Sequence, residues 1–107
     1  MAQSAKILDD LYEILDQRKS ASPQESYTAT LYDKGTGKIA QKVGEEAAEV
    51  IVDAMKLRLG DGKKKHVAEE SADLLYHLLV LWADLDIKPE KVWKVLDKRF
   101  VKQQKKN

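Results

Sequence analysis

Lys42-Val43-Gly44-Glu45-Glu46-Ala47-Ala48-Glu49-Val50-Ile51-Val52-Asp53-Ala54 is a stretch in which apolar residues return every three or four positions. With Ile39 upstream, Val43, Ala47, Val50, Ile51 and Ala54 make the stripe of an amphipathic helix that runs to about Leu59. At about 100° per residue, Glu46, Glu49 and Asp53 cluster on one flank of that helix, bordering the apolar side. Glu45 falls farther round toward solvent. The pattern then recurs as Glu69-Glu70-Ser71-Ala72-Asp73, where Glu70, Asp73 and His77 flank the side set by Val67, Leu74 and Leu78. Gly60-Asp61-Gly62 between the two stretches allows only an antiparallel return, so the two acidic flanks belong to one helical hairpin.

Outward from the hairpin, every segment reads as helix or loop and none as strand. Ile7, Leu8, Leu11, Ile14 and Leu15 give a one-sided helix over about Ser4 to Arg18. Ser20, Ser22 and Pro23 then break the pattern, and Tyr27 to Asp33 forms a short helix or turn. Gly35 and Gly37 punctuate the chain before the hairpin. Its second helix, about Lys63 to Ala83, presents Val67, Leu74, Leu75, Leu78, Leu81 and Trp82 as its main apolar face. Pro89 suits a first helical position and Glu90 the first turn, so a last helix carries Val92, Val95, Leu96 and Phe100. The expectation is an all-α bundle of four to five helices, a single domain over residues 1–107 with a basic tail from about 101. Between Leu74 and Trp82 only Tyr76 and His77 are neither aliphatic nor Trp, and so broad an apolar surface predicts a homodimer.

Composition removes several classes of function. Net charge is +1, with no global drive toward nucleic acid or membrane, and the run Lys98, Arg99, Lys102, Lys105, Lys106 reads as a solvated, fraying end. No apolar run reaches the length of a membrane span, and Asp9 and Asp10 interrupt any signal-like segment, so a cytoplasmic protein is expected. There is no cysteine, hence neither a disulfide framework nor a thiolate metal site.

The two acidic flanks are the chemistry-bearing feature. An isolated ExxE on a charged helix is ordinarily just a solvated face; two copies on helices joined by a three-residue turn weaken that account. Facing carboxylates raise one another's pKa and destabilise the fold unless a cation intervenes. An all-oxygen set formed by Glu46, Glu49, Glu70 and Asp73 suits Mg²⁺ or Mn²⁺, and the Glu-x-x-His spacing of di-iron bundles is absent around His66 and His77. Mg²⁺ held by carboxylates usually also touches substrate phosphates. Lys34, Lys38 and Lys42 step toward the acids as candidates for those phosphates, although a row of this kind is often only a solvated face with ion pairs such as Lys42 to Glu46. Tyr27, with Thr28, Tyr32 and Tyr76, and His77 are candidate substrate contacts, against the commoner role of such residues at core edges. The GxxxxGK[ST] phosphate loop is absent.

Ser26-Tyr27-Thr28-Ala29, Lys34-Gly35, Lys42 to Glu49 and Ala72-Asp73-Leu74-Leu75-Tyr76-His77-Leu78-Leu79-Val80 together resemble the phosphoribosyl-ATP pyrophosphohydrolases of histidine biosynthesis over roughly residues 7–100. The acidic pair alone is shared with the wider all-α nucleoside triphosphate pyrophosphohydrolases, which include MazG-like enzymes and dimeric dUTPases. The resemblance implies Mg²⁺-dependent cleavage of the α–β phosphoanhydride of phosphoribosyl-ATP, with Glu46, Glu49, Glu70 and Asp73 as metal ligands in a dimer. Glu45 and Glu46 are the catalytic candidates, Glu45 orienting the attacking water, and Lys34, Lys38 and Lys42 neutralise charge as pyrophosphate leaves. The Gly35-Thr36-Gly37 segment is richer in glycine than the family's usual sequence there, which predicts a looser start to the helix. With no cysteine for a fused zinc cyclohydrolase, a separate cyclohydrolase acts next. The competing readings are a house-cleaning nucleoside triphosphate or dUTP pyrophosphohydrolase of the same superfamily, and a non-enzymatic helical dimerisation module.

Overall fold

A computed structural model describes residues 5–106. It contains α1 (Lys6–Gln17), a 3-10 turn (Arg18–Ser20), α2 (Tyr27–Lys34), α3 (Thr36–Arg58), α4 (Lys64–Asp84) and α5 (Pro89–Lys106), with no strand among the described residues. The expected all-α class is what the chain adopts. The expected start of the first helix at Ser4 lies outside the described residues. Tyr27–Lys34 is a true helix, because the Ser26 side chain accepts from the Ala29 N–H at its start. Gly35, at φ +96°, then turns the chain directly into α3, while its N–H closes α2 onto the carbonyls of Leu31 and Tyr32.

The start of α3 is not loose. Gly37 lies inside the helix, and Thr36 Oγ1 donates to Asp84 Oδ2 at 2.5 Å, tying the first residue of α3 to the last of α4. At the other end Gly60, at φ +87°, forms a Schellman closure: Asp61 N–H bonds Lys56 O at 2.9 Å and Gly60 N–H bonds Leu57 O at 3.1 Å. The hairpin is thereby fastened at both ends.

α3 and α4 form the main pair, α1 lies on α4, and α2 packs on α3. Tyr12, Leu15, Leu31, Ile39, Leu79, Val80 and Ala83 form the core, which therefore occupies the half of the hairpin that joins the start of α3 to the end of α4. This differs from the face expected for the hairpin's second helix. Leu79, Val80 and Ala83 are buried there, whereas Leu75 is exposed, because α1 lies on the side of α4 that carries Leu79, Val80 and Ala83 and leaves Leu75 uncovered. Ile51 on α3 is exposed as well, together with Val52, Met55 and Leu59.

α5 meets the remainder of the fold through Trp93, whose Nε1 donates to Asp9 Oδ1 at 2.8 Å and whose ring meets Trp82 edge-on at 6.0 Å. Val95, Leu96, Phe100 and Val101 on the same helix stay exposed. The basic C-terminal segment continues as regular helix through Lys106 instead of fraying. Among the described residues no helix is long and apolar enough to cross a membrane.

Candidate metal and nucleotide site

Halfway along the hairpin, where the apolar core gives out, the acidic flanks meet. Glu46, Glu49 and Glu70 each offer a carboxylate oxygen within 4.8 Å of the other two. Glu46 is 8% exposed, deeper than a solvated helix face allows, and Oε2 of Glu70 is buried without a hydrogen-bond partner. The Glu70 carboxyl is pushed up to about 7, first by its hydrogen bond to Glu49, then by desolvation and by the charges of Glu49, Asp73 and Glu46. Asp73 acts on Glu70 through its charge but does not join the close set; it is exposed one turn farther along α4.

Glu45 points away from this centre, as its wheel position predicts. Its Oε2 accepts from Gln41 Nε2 at 2.7 Å and its Oε1 from Lys42 Nζ at 3.2 Å, and these bonds hold its pKa below the ordinary value. The expected pairing of Lys42 with Glu46 is therefore not made. Glu46 has turned into the hairpin toward Glu70, leaving Lys42 to the exposed Glu45. The row of lysines is also divided. Gly35 ends α2 after Lys34, so only Lys38 and Lys42 stand on α3 with the acids.

Tyr27, Tyr76 and His77 assemble beside these residues. The rings of Tyr27 and Tyr76 stack at 6.3 Å, and His77 meets Tyr76 edge-on at 4.9 Å. Thr28 and Tyr76 share a hydroxyl–hydroxyl bond, which joins α2 to α4. His77 is buried at 6% exposure, with Nδ1 2.8 Å from Asp73 O and Nε2 3.3 Å from Tyr27 Oη. Sequence reasoning had no means of pairing Thr28 with Tyr76, since both types sit equally well at a core edge; their 48-residue separation is bridged only by the fold. A cavity of about 650 Å³ between α1 and the start of α5, walled by Asp9, Glu13, Asp16 and Trp93, holds none of these residues.

An all-α hairpin with opposed carboxylates defines a class of protein whose donor set suits a hard cation. A sequence model of the family described as phosphoribosyl-ATP pyrophosphohydrolase matches residues 8–100. Similar chains include a phosphoribosyl-ATP pyrophosphatase of Paramagnetospirillum magneticum, 54% identical over 92% of this chain and 86% of the relative. Another from Azospirillum brasilense is 53% identical over 90% and 82%, and one from Trichlorobacter lovleyi is 47% identical over 94% and 88%. The chain belongs to the phosphoribosyl-ATP pyrophosphohydrolase family and is a hydrolase acting on a phosphoanhydride.

Proposed function

We propose that the chain hydrolyses phosphoribosyl-ATP to phosphoribosyl-AMP and pyrophosphate, the second step of histidine biosynthesis, with Mg²⁺ held by Glu46, Glu49, Glu70 and Asp73. The observation that carries this reading is the three-carboxylate cluster containing a buried, unpartnered oxygen of Glu70. Such a donor set fits a hard divalent cation, Mn²⁺ as well as Mg²⁺, and is unfavourable without one. The names of the relatives supply the substrate.

A bound cation of this kind polarises phosphate oxygens and offsets their charge. The other tasks fall to side chains. Lys42, whose ammonium is held above its ordinary pKa chiefly by Glu45, stays charged and with Lys34 and Lys38 attracts the triphosphate and the departing pyrophosphate. Glu46 is both ligand and catalytic residue. Glu45, kept ionised by Gln41 and Lys42, is the candidate to accept a hydrogen bond from the attacking water and so orient it, more than to remove its proton, once its side chain swings from Gln41 and Lys42 toward the centre. Tyr27 and His77 belong to the nucleoside side of the site.

The working unit in this reading is a homodimer. Ile51 and Met55 on α3 and Leu59 at its C-terminal cap repeat every fourth residue and are exposed, as are Leu96 and Phe100 on α5, and a second copy would cover such faces. A cytoplasmic setting and a separate cyclohydrolase acting next complete the proposal.

The deciding measurement is pyrophosphate release from phosphoribosyl-ATP with Mg²⁺ and with EDTA, beside ATP, dATP and dUTP. Metal-dependent turnover of phosphoribosyl-ATP alone is expected. Preference for the panel would move the chain to a house-cleaning activity, and a folded protein inert toward all four would overturn the enzymatic reading.

A further inference from the structure

The hydrogen bonds of His77 have a direction. A main-chain carbonyl only accepts, so Nδ1, 2.8 Å from Asp73 O, carries the hydrogen. In the neutral ring Nε2 is then a lone pair, and the hydroxyl of Tyr27, 3.3 Å away, donates to it. With its one hydrogen turned inward, the Tyr27 oxygen has only lone pairs to offer outward. Stacking on Tyr76 fixes the ring, and Tyr76 is itself held by Thr28. Tyr27 nevertheless remains 55% exposed, and through His77 it is tied to the backbone of Asp73, one turn along α4 from Glu70. A pre-set acceptor therefore stands at the margin of the carboxylate centre.

We propose that His77 is a positioning residue that makes Tyr27 an obligate hydrogen-bond acceptor for a hydroxyl or N–H on the nucleoside portion of the substrate. Phosphate oxygens overwhelmingly accept, so a phenol in this state discriminates against them and leaves them to the lysines. The pair thereby sets which end of the nucleotide lies against α2. This inference rests on the pyrophosphohydrolase reading above.

The test is steady-state kinetics on phosphoribosyl-ATP with Mg²⁺ for the wild type, Tyr27→Phe, His77→Phe and the double variant. Each single variant is expected to raise KM about tenfold, the scale of one neutral hydrogen bond, with kcat within about twofold. The double variant is expected to be no worse than Tyr27→Phe, because both changes remove the same interaction. His77→Gln, whose amide oxygen restores an acceptor, is expected to regain most of the affinity, a rescue that a mere packing role does not predict. Should His77→Phe fail to fold, Tyr27→Phe and His77→Gln carry the comparison. A wild-type KM in Tyr27→Phe, or penalties that multiply in the double variant, overturns the proposal while leaving the parent activity intact. Wild-type inertness toward phosphoribosyl-ATP overturns both. Repeating the Tyr27→Phe comparison on the 2′-deoxyadenosine analogue identifies the donor: a vanished penalty assigns that hydroxyl, and a persistent one assigns another hydroxyl or an N–H.

Discussion

Glu49 and Glu70 face each other across the α3–α4 hairpin closely enough for the protonated Glu70 carboxyl to donate to Glu49, and this contact is the main reason Glu70 titrates near 7. As an anion, Glu70 repels Glu49, Glu46 and Asp73 and has a buried oxygen without a partner. The hairpin is thus built around an interaction that favours either a proton or a cation between its helices.

The pH dependence of the metal-free protein follows. Glu70 has its pKa raised from 4.5 to about 7, so the folded state binds the proton more tightly than the unfolded chain. This contribution to stability is fully present below about 4.5 and is lost as pH rises through about 7. In EDTA, Tm is expected to fall over that window. Mg²⁺, bound only by the native state, should raise Tm most at the alkaline end, where proton and cation no longer compete. Melting curves at matched ionic strength would check this; a Mg²⁺ effect independent of pH would contradict it.

Glu46→Gln and Glu70→Gln separate function from stability. Each removes one negative charge from a cluster in which three carboxylate oxygens lie within 4.8 Å of one another. Without metal, both variants are expected to melt at or above the wild-type temperature, because repulsion is relieved. With Mg²⁺, activity should drop on the order of 10²–10³-fold, the scale on which electrostatic stabilisation of the reacting phosphate is lost. Asp73→Asn should weaken Mg²⁺ binding less, since Asp73 stands outside the close set. Equal losses in all three variants would show that Asp73 moves in to complete the cation site.

Much of this was legible in the sequence, and the remainder has physical reasons for being hidden. Three- and four-residue spacing located the hairpin, and the doubled acids located the centre, because both are properties of a single helix. What the spacing leaves open is which neighbour covers each face. Leu75 and Ile51 belong to apolar stripes yet are exposed, since no other helix of the chain covers the sides they occupy. Spacing alone pairs Lys42 with Glu46, yet Glu45 also lies within its reach along the helix, and only the turning of Glu46 toward Glu70 decides between them. The tautomer of His77 depends on a carbonyl one helical turn back and a phenol from another helix. No spacing rule encodes that combination.

The uncovered faces of α3 and α5 make a prediction about assembly. Ile51 and Met55 on α3 and Leu59 just past its end follow one another at four-residue steps, and all three are exposed. Burying such a line against a second copy stabilises by roughly 25 cal/mol for each Å² of apolar surface removed from water. Light scattering across a dilution series is expected to give twice the chain mass. Met55→Asp should shift the equilibrium toward monomer and lower Tm, by placing a charge in an apolar contact. A wild type that remains monomeric at all concentrations would contradict the dimer.

Ser26 offers a test of how the fold seats the nucleoside side of the site. Its side chain accepts from Ala29 N–H at 3.2 Å, capping α2 immediately before Tyr27. Ser26→Ala removes that acceptor and is expected to cost about 1 kcal/mol of stability, whereas Ser26→Gly should cost only a few tenths, roughly, as is usual at this helix position. Urea titration measures both. Because Tyr27 is the first residue of α2, fraying of that turn also loosens its stacking on Tyr76. Ser26→Ala should therefore raise KM for phosphoribosyl-ATP as well as lower the urea midpoint. A midpoint shift with unchanged KM would mean that the contacts with Tyr76 and His77 hold Tyr27 in place without help from the cap.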